Sequence, residues 1–205
     1  LNKKEILLTF DDGLKCQIKL ILPILKRYKL EGIFFIPTYK FFKSNSFLEA
    51  KRYFMYTYFK NIENFYEIYF KLYFINLNNR KKFFKKNFNS ISNFKKKYPF
   101  YNTNDVAFRF IRANNIKKHN LILKKIMKKF NYSEDKKSKK LLMDSQDYKK
   151  LIISKQCLGL HSDEHFSSKK NLTHKKELQN YLLNFKILSK YDKNILSSSY
   201  PTNIY

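Results

Sequence analysis

Residues 5–37 read EILLTFDDGLKCQIKLILPILKRYKLEGIFFIP, and this stretch decides the fold. Residues 5–10 are a short apolar run of strand length, stopped by Asp11, Asp12 and Gly13. Ile18, Ile21, Leu22 and Leu25 then recur on one helical face, with Pro23 inside the pattern where it can kink the helix. Gly32 opens a second apolar run that Pro37 ends. Strand, helix and strand at this spacing make a βαβ unit. The two strands should therefore run parallel, joined by a right-handed crossover.

Beyond residue 40 the character changes. Glycine is absent as far as residue 143, and aromatic and basic residues recur at helical spacing, as in Phe54, Tyr58, Ile62, Phe65 and Tyr69. This reads as a helical insertion over residues 40–140, its aromatic stripe serving helix packing. Residues 105–112 and 117–130 read as further helices, and 133–140 as a charged connector. His119 and His174 fall in lysine-rich helical stretches and read as solvated. Regular order returns at Asp144, which can cap a helix over 145–155 with Asp147 in its first turn. Residues 157–160 read as a third strand ending at His161. Thr173 can cap a helix running to about Tyr191, and residues 195–199 read as a fourth strand ending at Tyr200 and Pro201. The expectation is one domain over 1–205, with its α/β parts at 1–39 and 141–205.

Composition bounds the partners. With 205 residues and 43% of them hydrophobic, the chain can bury a core, and no apolar run approaches bilayer length. No secretory signal pattern precedes the first strand. Lys and Arg total 43 against 16 Asp and Glu, a net charge of +27. Such charge suits a nucleic-acid or anionic-surface partner. The plainer account is compositional bias: Lys, Asn, Ile, Phe and Tyr, whose codons are rich in A and T, are all over-used, while Gly and Pro fall to 3 and 4. The basic residues are scattered, so a nucleic-acid partner is the weaker reading. Cys16 and Cys157 form no C-x-x-C pair and no disulfide framework. They read as two semi-buried thiols of a reducing, cytoplasmic compartment.

The chemistry lies at strand ends. Gly13, Gly32 and Gly159, the only glycines, each stand where a strand meets a loop. Asp11 and Asp12 are adjacent acids whose side chains should point to opposite sides and do different work. His161 ends its own strand, and C-terminal strand ends form the active face of parallel α/β folds. His161 and His165 are spaced i, i+4, so one helical turn would set both rings toward one ion. Two histidines and one carboxylate with an open position make a hydrolytic metal site, here His161 and His165 with one of the two acids, Asp11 or Asp12. Asp163 and Glu164, between the histidines, read as exposed. Ser162 can hydrogen-bond within its own turn.

The T-F-D-D-G of residues 9–13, followed by G-L-H-S-D-E-H at 159–165, resembles the polysaccharide deacetylase family, carbohydrate esterase family four. The resemblance covers roughly residues 1–39 and 141–205. It implies a distorted (β/α) barrel, partial and carrying the helical insertion. It implies Asp11 as general base and Asp12, His161 and His165 as ligands of a divalent metal, zinc first, with cobalt and nickel as alternatives. The reaction implied is metal-dependent hydrolysis of acetyl groups on a sugar or polysaccharide. The family's third motif looks like Ser199-Tyr200-Pro201-Thr202, where a backbone N–H near Pro201 and Thr202 would face the oxyanion. Ser199 stands where many members have an arginine that holds the base. The family's later motifs, including its general acid, lie downstream of the third. The expectation is thus a C-terminally incomplete domain with weak turnover by itself, or a non-catalytic descendant.

Overall fold

Leu8–Phe10 form β1, which pairs in parallel with β2, Gly32–Ile36, so that Phe10 faces Phe34. β2 pairs in parallel with β3, Cys157–Leu160, with Ile36 opposite Leu160. The sheet order is β1-β2-β3. These features belong to a computed structural model that describes residues 6–38, 48–97, 99–134, 140–164 and 173–201. Two compact units divide the chain. Unit 1 is Leu1–Asn45 with Asp135–Tyr205, and unit 2 is Ser46–Glu134.

In unit 1 the crossover from β1 to β2 starts with a π-helical turn, Gln17–Ile21, and continues as α1, Leu22–Tyr28. Pro23 sits in the first turn of α1, where its missing N–H costs least, and the wider turn before it takes up the register change. Lys29, left-handed at φ 53°, ends the helix. Leu22 and Leu25 pack with Phe34, Ile36, Leu151 and Leu158 into one buried cluster. The central strand must carry apolar residues on both faces, and β2 does, being buried at Gly32 and from Phe34 to Ile36. Gly159 on β3 leaves room for a neighbour: a Cβ there would stand 2.3 Å from the Phe35 ring.

Asp144 caps the next helix as expected, in a reciprocal capping box with Asp147. Numbering only the helices described here, the chain continues in unit 2 with α2, Leu48–Thr57, α3, Ile62–Tyr73, and α4, Leu77–Lys86. Unit 2 then has α5, Phe88–Lys97, α6, Thr103–Asn114, and α7, Ile116–Lys129. Unit 1 resumes with α8, Ser145–Ile153, and α9, His174–Leu188.

Within unit 2, asparagines start the helices. Asn61, Asn76, Asn102 and Asn115 each accept a first-turn backbone N–H with the side chain. Asn61 breaks the long aromatic stripe into two helices. The core is aromatic, with Phe54, Phe65, Tyr66, Tyr69, Phe70 and Phe108 all nearly or fully buried.

The structure corrects three expectations about these elements. The fourth strand reduces to a single parallel bridge between Leu160 and Ser198. Leu160 N–H donates to Ser197, and Ser199 N–H donates to Leu160. Three successive serines have little side chain to pack on a pleated surface, and Leu196 is 94% exposed, so no longer ladder forms. His119 is buried, not solvated, because it shares a helical face with Ile122, Leu123 and Ile126. Both cysteines are free and exposed rather than semi-buried. The class is α/β as expected, and the described residues are mostly helical with a three-stranded parallel sheet.

Candidate active site

The chain turns sharply after β1. Asp12 has φ 74° and Gly13 φ 58°, two left-handed residues in succession. Gly13 takes this conformation freely, whereas Asp12 is one of the few side chains that tolerates it. The turn is held from three sides. Gln17, itself buried, donates through Nε2 to the Asp11 carbonyl at 2.6 Å. Met143 N–H donates to the Gly13 carbonyl at 2.8 Å. The Lys15 ammonium spans Asp144 at 2.6 Å and Asp147 at 2.7 Å. The backbone is thus over-determined where it is strained, as functional turns tend to be.

His161 leaves the C-terminal end of β3 with its side chain 2% exposed. Its Nε2 lies 3.3 Å from Oδ1 of Asp12. Its Nδ1 donates to the Ser199 carbonyl at 2.9 Å. Ser162, next in the chain, is fully buried and left-handed at φ 58°. Burial pulls the His161 pKa down. Its hydrogen bonds to Asp12 and Ser199, with the charges of Asp11 and Asp12, outweigh this, so the ring holds its proton above the ordinary imidazole range. The ends of β1 and β3 therefore meet on one rim.

Ser199 joins the two halves of that rim. Its carbonyl takes the His161 Nδ1–H, and its hydroxyl donates to Oδ2 of Asp11 at 3.1 Å. Ser199 thus touches both Asp11 and His161. The Asp12 carboxyl lies against the histidine and the Asp11 carboxyl against the serine.

Asp12 and His161, the two described members of the expected ligand set, are spaced as two ligands of a divalent metal would be. A ligating histidine usually donates its other ring N–H to an acceptor, and His161 does so from Nδ1 to Ser199, with Nε2 turned toward Asp12. Two ligand atoms each about 2.1 Å from a tetrahedral ion stand roughly 3.4 Å apart, close to the 3.3 Å between Nε2 and Oδ1. The third expected ligand, His165, lies outside the described residues, as does Thr202. Among the described residues no three His, Cys, Asp or Glu side chains gather at one point. Pro201 is buried, and Tyr200 donates its hydroxyl to Glu177.

Three site residues escaped the sequence reading. Gln17 holds the acidic turn. Asp163, expected to be exposed, accepts a hydrogen bond from Thr38 at 2.8 Å. Asn184, inside α9, accepts the His161 N–H at 2.9 Å. One signal for Asn184 existed: it lies four residues before Leu188, a fully buried core residue, and so shares its face. In a chain this rich in asparagine, composition hides that signal.

No helix among the described residues is long and apolar enough to cross a membrane. No curated protein and no solved structure matches the chain. Residues 1–52 match the family model described as polysaccharide deacetylase, and this match, spanning the βαβ unit and its acidic turn, supports that family for the N-terminal part of the chain.

Proposed function

We propose that the protein is a metal-dependent carbohydrate deacetylase. It would be a hydrolase of non-peptide carbon–nitrogen bonds that removes acetyl groups from a sugar or polysaccharide, in the first instance a cell-surface glycan. One observation carries the reading. Asp11, Asp12 and His161, from the ends of two parallel strands, are tied into a single rim through Ser199. The match of residues 1–52 supports it independently. On this reading the three strands are a segment of the family's distorted barrel.

Asp12 and His161, with His165, would hold the ion, zinc in the first instance. When bound, it would supply Lewis-acid polarisation of the acetyl carbonyl and a lowered pKa for water at the site. Asp11 acts as general base. The Ser199 hydroxyl engages Oδ2 and fixes the carboxyl plane, leaving Oδ1 to take a proton from the attacking water. The water oxygen bonds to the acetyl carbon, the C–N bond breaks and acetate leaves. The proton that Asp11 takes from water is then free to pass to the leaving sugar amine, so one proton is lost by water and one gained by nitrogen. Pro201 has no N–H to offer, so the backbone donor for the oxyanion would be that of Thr202. His161 must be neutral to ligate. Its Nδ1 bond to Ser199 leaves Nε2 as the donor atom.

Zinc titration by calorimetry on the full chain and on His161→Ala tests the site, together with acetate release from acetylated sugar oligomers. One zinc per wild-type chain, lost in the variant, is expected. A wild-type stoichiometry near zero would sink the metal reading.

A further inference from the structure

Asn184 is fully buried, and its amide engages two neighbouring strands at once. Oδ1 accepts the His161 backbone N–H at 2.9 Å, just past the end of β3. Nδ2 donates to the Ile36 carbonyl at 2.9 Å, at the last residue of β2, and to Oγ1 of Thr38 at 2.9 Å. Oγ1 of Thr38 in turn donates to Oδ1 of Asp163 at 2.8 Å. The acceptor and both donor hydrogens of the amide are therefore in use, in a place shielded from water. A buried amide left unpaired is costly, so this geometry has few alternatives.

The consequence concerns the histidine. Beyond the last ladder pair, Ile36 with Leu160, β2 and β3 no longer bond each other. From there the Asn184 amide takes over the join. It fixes the peptide from which the His161 side chain springs, one residue before the left-handed Ser162. The ring itself is fixed at Nδ1 by Ser199. Backbone and ring are thus set by different groups, and both are needed to aim Nε2 at Asp12. We infer that Asn184 is a positioning residue for His161, acting through the main chain to hold its ring in register with Asp12. The zinc part of this inference rests on the proposed metal site, whereas the ring-orientation part does not.

A core residue on the same helix supplies the control. Leu188 is fully buried one turn further along α9, and Leu188→Ala loosens the helix without touching the amide network. In labelled full-length protein, the hydrogen-bonded Nδ1–H of His161 gives a slowly exchanging proton signal by NMR in the absence of metal. Asn184→Ala is expected to lose that signal and to bind zinc 10–100-fold more weakly, the range for removing groups that orient a ligand. Leu188→Ala is expected to keep the signal and zinc affinity within about twofold of wild type. Retention of the signal in Asn184→Ala, or equal loss in Leu188→Ala, overturns the inference. A further reading needs no variant. The wild-type His161 amide should exchange as slowly as those of β3, and exchange at the rate of an exposed amide overturns the inference too. If Asn184→Ala loses the signal while wild type takes up no zinc, the positioning role stands and the metal reading falls.

Discussion

The two units bury different things. Unit 2 packs aromatic rings edge to face, as Phe65 against Phe108 at 5.6 Å and Phe54 against Phe59 at 5.5 Å. Unit 1 has a smaller, largely aliphatic core and sinks polar side chains beside it: Gln17, Asp147, Gln156, His161, Ser162 and Asn184. Apolar burial is non-directional, so most of unit 2's packing fixes no single atom, with buried Lys51 and His119 as polar exceptions. Hydrogen bonds are directional, and unit 1 uses them to fix the atoms of a rim. The contrast predicts that substitutions in unit 1 change chemistry more than stability, and that those in unit 2 do the reverse.

Asp11→Asn should produce the largest effect. Asp11 is exposed and contributes no core area. If Asp11 is the general base proposed above, its loss should lower deacetylation about 10³-fold, near 4 kcal/mol of barrier, with little change in melting temperature. Acetate-release kinetics beside a thermal melt check both halves. A large fall in stability would break the contrast from the unit 1 side.

Phe65→Ala tests it from the other. The ring is fully buried among Phe59, Tyr66, Tyr69 and Phe108. Truncation should cost roughly 3–4 kcal/mol through lost burial and the cavity left behind. Urea titration followed by helical circular dichroism reads the loss, which should leave zinc stoichiometry at unit 1 unchanged. A loss below about 1 kcal/mol would mean that the aromatic cluster is not what holds unit 2.

The same contrast explains what could be read in the sequence. Local signals were legible: the apolar runs of β2 and β3, the Asp144 cap, and the helix after Thr173 all depend on near neighbours. The acidic turn was legible because glycine is rare here and Gly13 stands beside two acids. Ser199 meeting Asp11 was legible only through the family resemblance, since 188 residues separate them and a serine carries no distinctive pattern of its own. The fourth strand failed because its apolar start, Ile195 and Leu196, gives way to serines that do not hold a ladder. His119 was misread through its lysine neighbours, although Ile122, Leu123 and Ile126 placed it on the apolar face. Its burial was a periodicity signal outweighed by composition.

His119 gives the third test. Burial first, then the charges of Arg112 and Lys51, lower its pKa to about 3. Its Nδ1 shares a hydrogen bond with the Tyr69 hydroxyl at 2.9 Å, and burial holds the ring neutral. A histidine whose folded pKa lies below its unfolded value contributes stability above the unfolded pKa and loses it as pH falls toward the folded one. The unfolded chain takes up a proton near pH 6.5 that the folded unit refuses until about pH 3. Unit 2 should therefore lose about 3 kcal/mol between pH 7 and pH 4. His119→Leu should flatten that slope. An unchanged slope in the variant would assign the acid lability to other groups.

The smallest expected effect lies in unit 1, at the clamp on its acidic turn. The hydrogen bond to Asp144, followed by that to Asp147, raises the Lys15 pKa, and the Lys15 hydrogen bond is the largest cause lowering that of Asp144. The signs differ at the two ends of the pH range. The depressed Asp144 contributes above its unfolded pKa of about 3.9 and loses that contribution as pH falls. The raised Lys15 contributes below its unfolded pKa of about 10.4 and loses that contribution as pH rises through the folded value. The clamp is therefore complete between these limits. Side-chain exposures of 28% for Lys15 and 55% for Asp144 mean solvent screens the pair. Lys15→Met should then cost only about 1 kcal/mol at pH 7, and less in high salt. Zinc affinity should fall by more than that stability loss suggests, because the buried Asp147 carboxylate loses its closest cation and the turn carrying Asp12 loses one of its three holds. Equal and small effects on both would show that Gln17 and Met143 hold the turn without it.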